Sequence, residues 1–101
     1  MEHITAKKAR ELLVENRSHF CGVIRKKHPQ DYIELQIDNY EKNINLDILE
    51  LRKVEKQQSN KIQFTGDSWL DFTKTNCRQF KNYLVVSKED DYFNMVYRLE
   101  A

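Results

Sequence analysis

The chain has 101 residues, of which 40% are hydrophobic and 33% are charged, so it is long enough for one small domain with a modest core. We therefore expect a single domain over residues 1–101. Basic residues number 17 and acidic residues 16, which leaves a formal net charge of +1. This balance excludes a histone-like polycation and an acidic mimic of DNA, because both act through a large field of one sign.

The N-terminus and the cysteines indicate a cytoplasmic protein with no membrane partner. Residues 1–10 contain no apolar segment of the secretory type, and no run of the chain approaches the roughly 18 apolar residues that a membrane span needs. Cys21 and Cys77 are far apart in the sequence and form no CxxC pair. We expect two reduced thiols.

The first predicted element is a helix over residues 5–27. Thr5 is a favourable N-cap, and apolar residues recur at helical spacing as far as Ile24. The basic residues at 25–28 suit the negative end of a helix dipole, and Pro29 makes continuation costly. Gly22 lies inside this helix, where glycine is tolerated but unfavourable.

The second predicted element is a helix over residues 31–59. Asp31 and Glu34 have the spacing of a capping box, and seven apolar residues then follow at steps of three and four. Such a helix would span about 40 Å at roughly 1.5 Å per residue, whereas a compact domain of this size is about 26 Å across. The helix therefore either breaks near residues 43–45 or projects and packs on something else.

A β-hairpin is the alternative for the same segment. Apolar and polar residues also alternate over residues 33–37 and 44–48, with residues 39–43 as the turn. The helix is favoured because no Gly or Pro occurs between Gln30 and Thr65, and because the turn lacks an Asn-Gly or Asp-Gly signal.

The last third of the chain predicts strand, helix, strand and strand. The strands cover residues 61–65, 83–86 and 92–99, and the helix lies between an N-cap at Ser68 and a C-cap at Asn82. Together with the preceding elements, this predicts an α+β fold. Two N-terminal helices come first, followed by a β-α-β-β unit with a small three-stranded sheet.

The sequence shows no catalytic or metal-binding pattern. His19 and Cys21 lack the second pair of ligands that structural zinc requires. Cys77 lies on the inner face of the third predicted helix, where burial makes a thiol inert. The acidic run at residues 89–91 is typical of a solvated turn, and two glycines are too few for a phosphate loop. We therefore expect no enzymatic activity, no cofactor and no metal.

Surplus apolar residues on the second predicted helix indicate a binding surface. Leu35, Leu46 and Leu49 lie off its main apolar stripe, so they form either a second buried face or an interface. We predict non-enzymatic binding of a macromolecule through these leucines. The first candidate partner is another protein, and a second copy of the chain is a further candidate.

Binding to RNA or DNA through a local basic patch is the alternative function. Three cations cluster at the end of the first predicted helix, and three more share one face of the third. The predicted contacts are Arg25, Lys26, Lys27, Lys74, Arg78 and Lys81.

Several segments in order carry a resemblance to known proteins. Residues 4–11, with the sequence Ile-Thr-Ala-Lys-Lys-Ala-Arg-Glu, are followed by a helix, and the strand at 61–64, the third helix and the hairpin at 83–99 complete the order. This order resembles a loose class of small accessory or early proteins of tailed bacteriophages. The resemblance implies a phage-encoded inhibitor in the host cytoplasm that occludes a surface of a host protein or defence factor. It assigns no site residues.

Overall fold

The computed structural model describes residues 1–100. Over these residues it contains two α-helices, α1 (Ala6–Glu15) and α2 (Gln30–Asn43), a 3₁₀ turn (Leu46–Ile48) and eight strands. The strands are β1 (Glu2–Ile4), β2 (Ser18–Arg25), β3 (Val54–Gln58), β4 (Lys61–Phe64), β5 (Trp69–Asp71), β6 (Thr75–Phe80), β7 (Tyr83–Lys88) and β8 (Phe93–Leu99). They form a five-stranded antiparallel sheet in the order β1-β6-β7-β8-β2 and a three-stranded antiparallel sheet in the order β3-β4-β5.

Both faces of the five-stranded sheet carry a hydrophobic core. In the central strand β7, Leu84 and Val86 pack against α1 and the small sheet, whereas Tyr83 and Val85 pack against α2. We call these the α1 face and the α2 face. A strand buried on both sides has no polar alternation, which explains the continuous apolar run at this position in the sequence.

Each helix contributes one pair of buried residues spaced four apart. In α1 these are Ala9 and Leu13, and in α2 they are Ile33 and Ile37. Residues at this spacing lie on the same side of a helix, so both helices are amphipathic covers for the sheet.

The predicted helix over residues 5–27 is wrong beyond Glu15. The backbone N–H and the side-chain amide of Asn16 both donate to the Leu12 carbonyl, at 3.1 and 2.9 Å, and they end α1 there. The following segment is β2, which pairs with β8 across the sheet. Gly22 lies at a β-bulge in this strand with φ of +131°, a conformation that other residues rarely adopt.

The segment 31–59 is neither one helix nor a hairpin. The helix α2 ends at Asn43, within residues 43–45, where one of the two alternatives for the long helix placed a break. Asn45 then accepts a hydrogen bond from the Asp47 N–H at 3.0 Å and caps the 3₁₀ turn, and the chain enters β3. The polar asparagines stop the helix although the apolar spacing continues beyond them.

The predicted third helix, between Ser68 and Asn82, is replaced by strands β5 and β6. The Asp71 carboxylate accepts from the Thr73 N–H at 2.8 Å and forms the turn that ends β5. Lys74 and Lys81, with φ of +53° and +54°, flank β6 at its two ends. The true order is therefore β-α-β-α followed by six strands, and the prediction of two N-terminal helices before a β-α-β-β unit is wrong.

Candidate functional site

The α1 face of the five-stranded sheet is not fully covered at β2 and β8. The register pairs Phe20 with Tyr97 and Val23 with Met95. Phe93 is two residues before Met95 in β8, so its side chain lies on the same face of the sheet. Phe20 is 45% exposed, Val23 53% and Phe93 36%, and Met95 is half-buried beside them. We call Phe20, Val23, Phe93 and Met95 the β2–β8 stripe.

The stripe is continuous because its members are cross-strand neighbours. Val23 and Met95 are directly opposed, about 4.5–5.5 Å apart at Cβ, and Phe93 lies diagonally from Val23, opposite Arg25. Phe20 continues the surface on the other side, opposite Tyr97, so the stripe ends at a cation near Phe93. A contiguous apolar surface, unlike a single exposed apolar residue, is a candidate interaction site.

A cleft of about 380 Å³ continues the stripe toward the small sheet. Its apolar wall contains Phe20, Met95, Tyr97 and Phe64. The Tyr97 ring packs on Phe20 at 5.3 Å between centroids and on Phe64 at 5.9 Å. Burial raises the pKa of Tyr97 to about 12, so its hydroxyl remains protonated at neutral pH. The wall is thus an apolar receptor surface.

The rim of the cleft is charged but internally paired. The Arg52 guanidinium forms an ion pair with Asp67 and lies 3.3 Å from a carboxylate oxygen of Glu50. One cation therefore faces two carboxylates, and the rim offers a polar border with no strong positive charge. An apolar centre with a polar border is the usual composition of a protein-binding patch.

The outer edge of β2 is open along most of its length. At its start, Ser18 and Arg52 exchange two backbone hydrogen bonds of 2.9 and 2.7 Å. Beyond that bridge, no strand within residues 1–100 pairs with this edge. The Lys26 N–H points toward β8 and donates to the Tyr92 carbonyl at 2.9 Å. In an antiparallel strand the backbone N–H and C=O groups of successive residues point alternately to the two neighbouring sides, so those of Val23 point to the open edge.

The three leucines predicted as a binding surface do not share a helix face. Leu35 is 56% exposed on the outer side of α2, while Leu46 is 58% exposed in the 3₁₀ turn. Leu49 is half-buried in the segment after that turn. They are separated because α2 ends at Asn43, and their role in partner binding stays a prediction.

The structure brings together four of the six predicted basic contacts. Arg25, Lys26 and Lys27 follow one another at the end of β2, and Lys74 lines a cleft with Lys26. Arg78 instead lies on the α2 face, where it donates to Asn94 at 2.9 Å.

Lys81 lies beyond the other end of β6 and pairs with Asp38 at 2.8 Å. The prediction grouped Lys74, Arg78 and Lys81 on one face of a helix, but the segment between Lys74 and Lys81 is the strand β6. A strand of six residues separates Lys74 from Lys81.

On the α2 face, Glu41 connects the helix to the sheet. Its two carboxylate oxygens accept from Nε and Nη2 of Arg98, at 3.0 and 3.3 Å, and one of them also accepts from the Tyr83 hydroxyl. The Arg98 and Tyr83 hydrogen bonds lower the pKa of Glu41. On the same face, burial raises the pKa of the Cys21 thiol to about 11, so this thiol stays protonated at neutral pH.

The exposed residues Phe20 and Val23 were missed because the sequence places them on the buried side of a helix. The apolar run Phe20–Ile24 with a central glycine is also typical of a bulged strand, and that signal could have located them. Exposure itself has no local signal, since it depends on which element covers the strand.

Within residues 1–100, no group of three His, Cys, Asp or Glu side chains is arranged to hold a metal ion. None of the helices in the same part of the chain combines the length and the apolar character of a membrane span. Comparison with protein-family models, curated proteins and solved structures returned no match. The resemblance to phage accessory proteins stays a prediction, and the function has to be argued from these surfaces.

Proposed function

We propose that this protein binds another protein, without catalysing a reaction, through the β2–β8 stripe and the adjoining cleft. The observation that supports the proposal is that Phe20, Val23 and Phe93 are exposed side by side on one sheet face. Burying such a surface is the main source of free energy in protein association. The 380 Å³ cleft beside it provides a pocket for one anchoring side chain.

The occupant we propose is a short extended segment of the partner. The open edge of β2 offers unpaired backbone groups next to the stripe, and its first residue already pairs with Arg52 in the antiparallel sense. An added strand would hydrogen-bond to this edge while its side chains reach the stripe. The bulge between Phe20 and Gly22 limits regular pairing, so the stripe and cleft supply most of the affinity.

The class of partner comes from the resemblance stated above. We propose a host protein or defence factor, one of whose surfaces is occluded by this chain. Occlusion needs only a stable complex and no catalytic group, which agrees with a site composed of apolar side chains and a paired rim.

The test compares two charge insertions that differ only in position. Val23→Lys places a cation in the stripe, and Leu35→Lys places one on the outer side of α2, where the sequence predicted partner contacts, at a residue of similar exposure. The pair therefore decides between the stripe and the predicted leucine surface. Both variants and the parent chain are immobilised and exposed to nuclease-treated extract of a candidate host. The proposal predicts a protein that the parent and Leu35→Lys retain and that Val23→Lys loses.

Sedimentation equilibrium of the purified chain separates the remaining occupants. A dimer that Val23→Lys dissociates would assign the stripe to a second copy of the chain and overturn the proposal. Retention of the same host protein by Val23→Lys would also contradict it, because a charge in the middle of an apolar interface is strongly unfavourable.

A further inference from the structure

A second surface, which adjoins the stripe at Phe93, lies where β2 and β7 end and β6 and β8 begin. Five cations converge at this end of the sheet. They are Arg25, Lys26, Lys27, Lys74 and Lys88. They come from three separate segments, so the fold and not the sequence assembles them.

Two adjoining clefts share Lys26. The first has a volume of about 260 Å³ and is lined by Lys26, Lys74 and Lys88 together with the polar side chains of Thr75 and Asn76. The Thr75 hydroxyl donates to the Phe72 carbonyl at 2.9 Å, so the donors left for a ligand are those of the three lysines and the Asn76 amide. Such a set of donors is of the kind that phosphate groups occupy.

The second cleft, of about 390 Å³, adds a stacking surface. It is lined by Arg25, Lys26 and Lys27 and by the rings of Tyr92 and Phe93. Tyr92 is 82% exposed, so its ring is free to accept a flat partner on its face. Exposed aromatic rings beside cations are the arrangement that single-stranded nucleic acids use.

None of these five cations forms an ion pair within residues 1–100. By contrast, Arg98 in β8 pairs with Glu41, and Lys81 beyond β6 pairs with Asp38. The Lys26 ammonium donates to the main-chain carbonyl of Lys88, which holds the charge in place without neutralising it. The positive charge at this end therefore remains available to a ligand.

The acidic residues of the β7–β8 turn oppose this charge only in part. Glu89 lines the first cleft and Asp91 the second, and Asp90 lies between them in the sequence. Five cations against three carboxylates leave a local excess of positive charge. Because the excess charge is small and the chain as a whole is nearly neutral, the electrostatic attraction of an anion acts only close to this surface.

We propose that this end of the sheet binds single-stranded nucleic acid. Phosphates lie in the cleft of Lys26, Lys74 and Lys88, and a neighbouring base stacks on Tyr92. A duplex is disfavoured because its bases are already stacked and cannot reach the tyrosine ring.

Fluorescence anisotropy of labelled 12-residue oligo(U) and oligo(dT) at low salt tests the proposal. The double variant Lys74→Gln/Lys88→Gln should weaken binding at least about 10-fold and reduce the slope of log K against log salt by about 1.4, since each phosphate contact to a single strand contributes about 0.7. The matched control Lys7→Gln/Lys8→Gln removes two exposed charges from α1 and should leave the slope unchanged.

Replacing the stacking ring gives a second measurement. Tyr92→Ala should weaken binding roughly 5- to 150-fold, the range measured for loss of one base–aromatic stack. Trp69→Ala, at an exposed ring outside this end, should have no effect. Tyr92 is 82% exposed, so Tyr92→Ala should retain the parent's urea unfolding midpoint, and the affinity of Trp69→Ala is compared without urea at a temperature well below its own melting transition.

Three results would overturn the proposal. They are no binding of either oligonucleotide at low salt, an equal loss in the α1 control, and an unchanged affinity in Tyr92→Ala. Competition by poly-glutamate as strong as by oligo(U) would assign the surface to acidic segments of proteins instead.

Discussion

The two faces of the five-stranded sheet are covered in different ways. On the α2 face, the strands expose no large apolar side chain, and polar contacts such as Glu41 with Arg98 hold the helix in place. On the α1 face, α1 and the small sheet cover β6 and β7 but leave the β2–β8 stripe open. The exposed large apolar residues of this sheet, Phe20, Val23 and Phe93, are therefore all on one face.

This difference between the two faces identifies the exposed apolar side chains as candidates for binding. A chain of 101 residues has few apolar side chains to spare, and leaving three of them in water costs free energy unless something else buries them. Both faces contribute to the core, and the larger buried cluster lies on the α1 face, whose uncovered part at β2 and β8 is the surface proposed for binding.

The largest expected effect separates two aromatic residues that contact the same tyrosine. Phe64 is buried and Phe20 is exposed, yet both rings pack on Tyr97. Phe64→Ala should lower the free energy of unfolding by about 3–5 kcal/mol, and Phe20→Ala by less than about 1 kcal/mol. Urea unfolding monitored by circular dichroism measures both, and equal losses would show that the stripe is part of the core.

Adjacent residues of β2 probe the two faces directly. Ile24 packs in the α2-face core, while Val23 belongs to the stripe. Ile24→Lys should destabilise the protein by about 1–3 kcal/mol because it places a charge against the core, whereas Val23→Lys should stay within about 0.5 kcal/mol. Melting temperatures of Ile24→Lys and Val23→Lys, compared with that of the parent, measure the difference. A larger loss for Val23→Lys would invert the proposed roles of the faces.

The polar contacts of the α2 face give a pH signature. The pKa of Glu41 is lowered in the folded state, so its contribution to stability is present above the ordinary value of 4.5 and is lost as pH falls through the folded pKa. Glu41→Gln should cost about 1 kcal/mol at pH 7, a modest figure because the carboxylate is 41% exposed.

The pH series contains its own control. The difference between the parent and Glu41→Gln should shrink below pH 4.5 as the carboxylate becomes protonated in the folded state. A difference that stays constant from pH 7 to strong acid would show that Glu41 acts through packing and not through its charge.

The smallest expected effects concern the segment that links α2 to β3. Leu46→Glu should change stability by less than about 0.5 kcal/mol because the side chain is 58% exposed, while half-buried Leu49→Glu should cost about 1 kcal/mol. Differential scanning calorimetry measures the stability losses of the Leu46→Glu and Leu49→Glu variants. Complete unfolding by Leu46→Glu would place this leucine in the core.

Locally encoded elements could be predicted from the sequence. The start of α1 depends on Thr5, whose hydroxyl accepts from the Lys8 N–H at 3.0 Å, and capping is visible within four residues. The strands predicted over 61–65, 83–86 and 92–99 correspond to β4, β7 and β8 to within two residues at each end, because alternation or a fully apolar run is also local.

Elements that depend on distant partners could not be predicted. The strand β2 pairs with β8, which comes much later in the chain, from Ser18 with Leu99 to Arg25 with Phe93, and this pairing overrides a helical spacing that ends at Ile24. The strand β6 pairs with distant β1 as well as with the neighbouring strand β7, and β5 pairs with the neighbouring strand β4. These two strands were missed because their residues suit one helical face equally well. The basic end was located in part, since Arg25, Lys26 and Lys27 do lie near Lys74, but Lys88 and Tyr92 join them only through the sheet.

The most direct test of the open face is site-specific cross-linking. A photo-reactive amino acid replaces Val23 in one chain and Leu35 in another, and both are irradiated in nuclease-treated host extract. Binding through the β2–β8 stripe predicts one dominant protein adduct from position 23 and none from position 35. Adducts of equal yield from both positions, or adducts from position 35 alone, would contradict the assignment of this face to a partner.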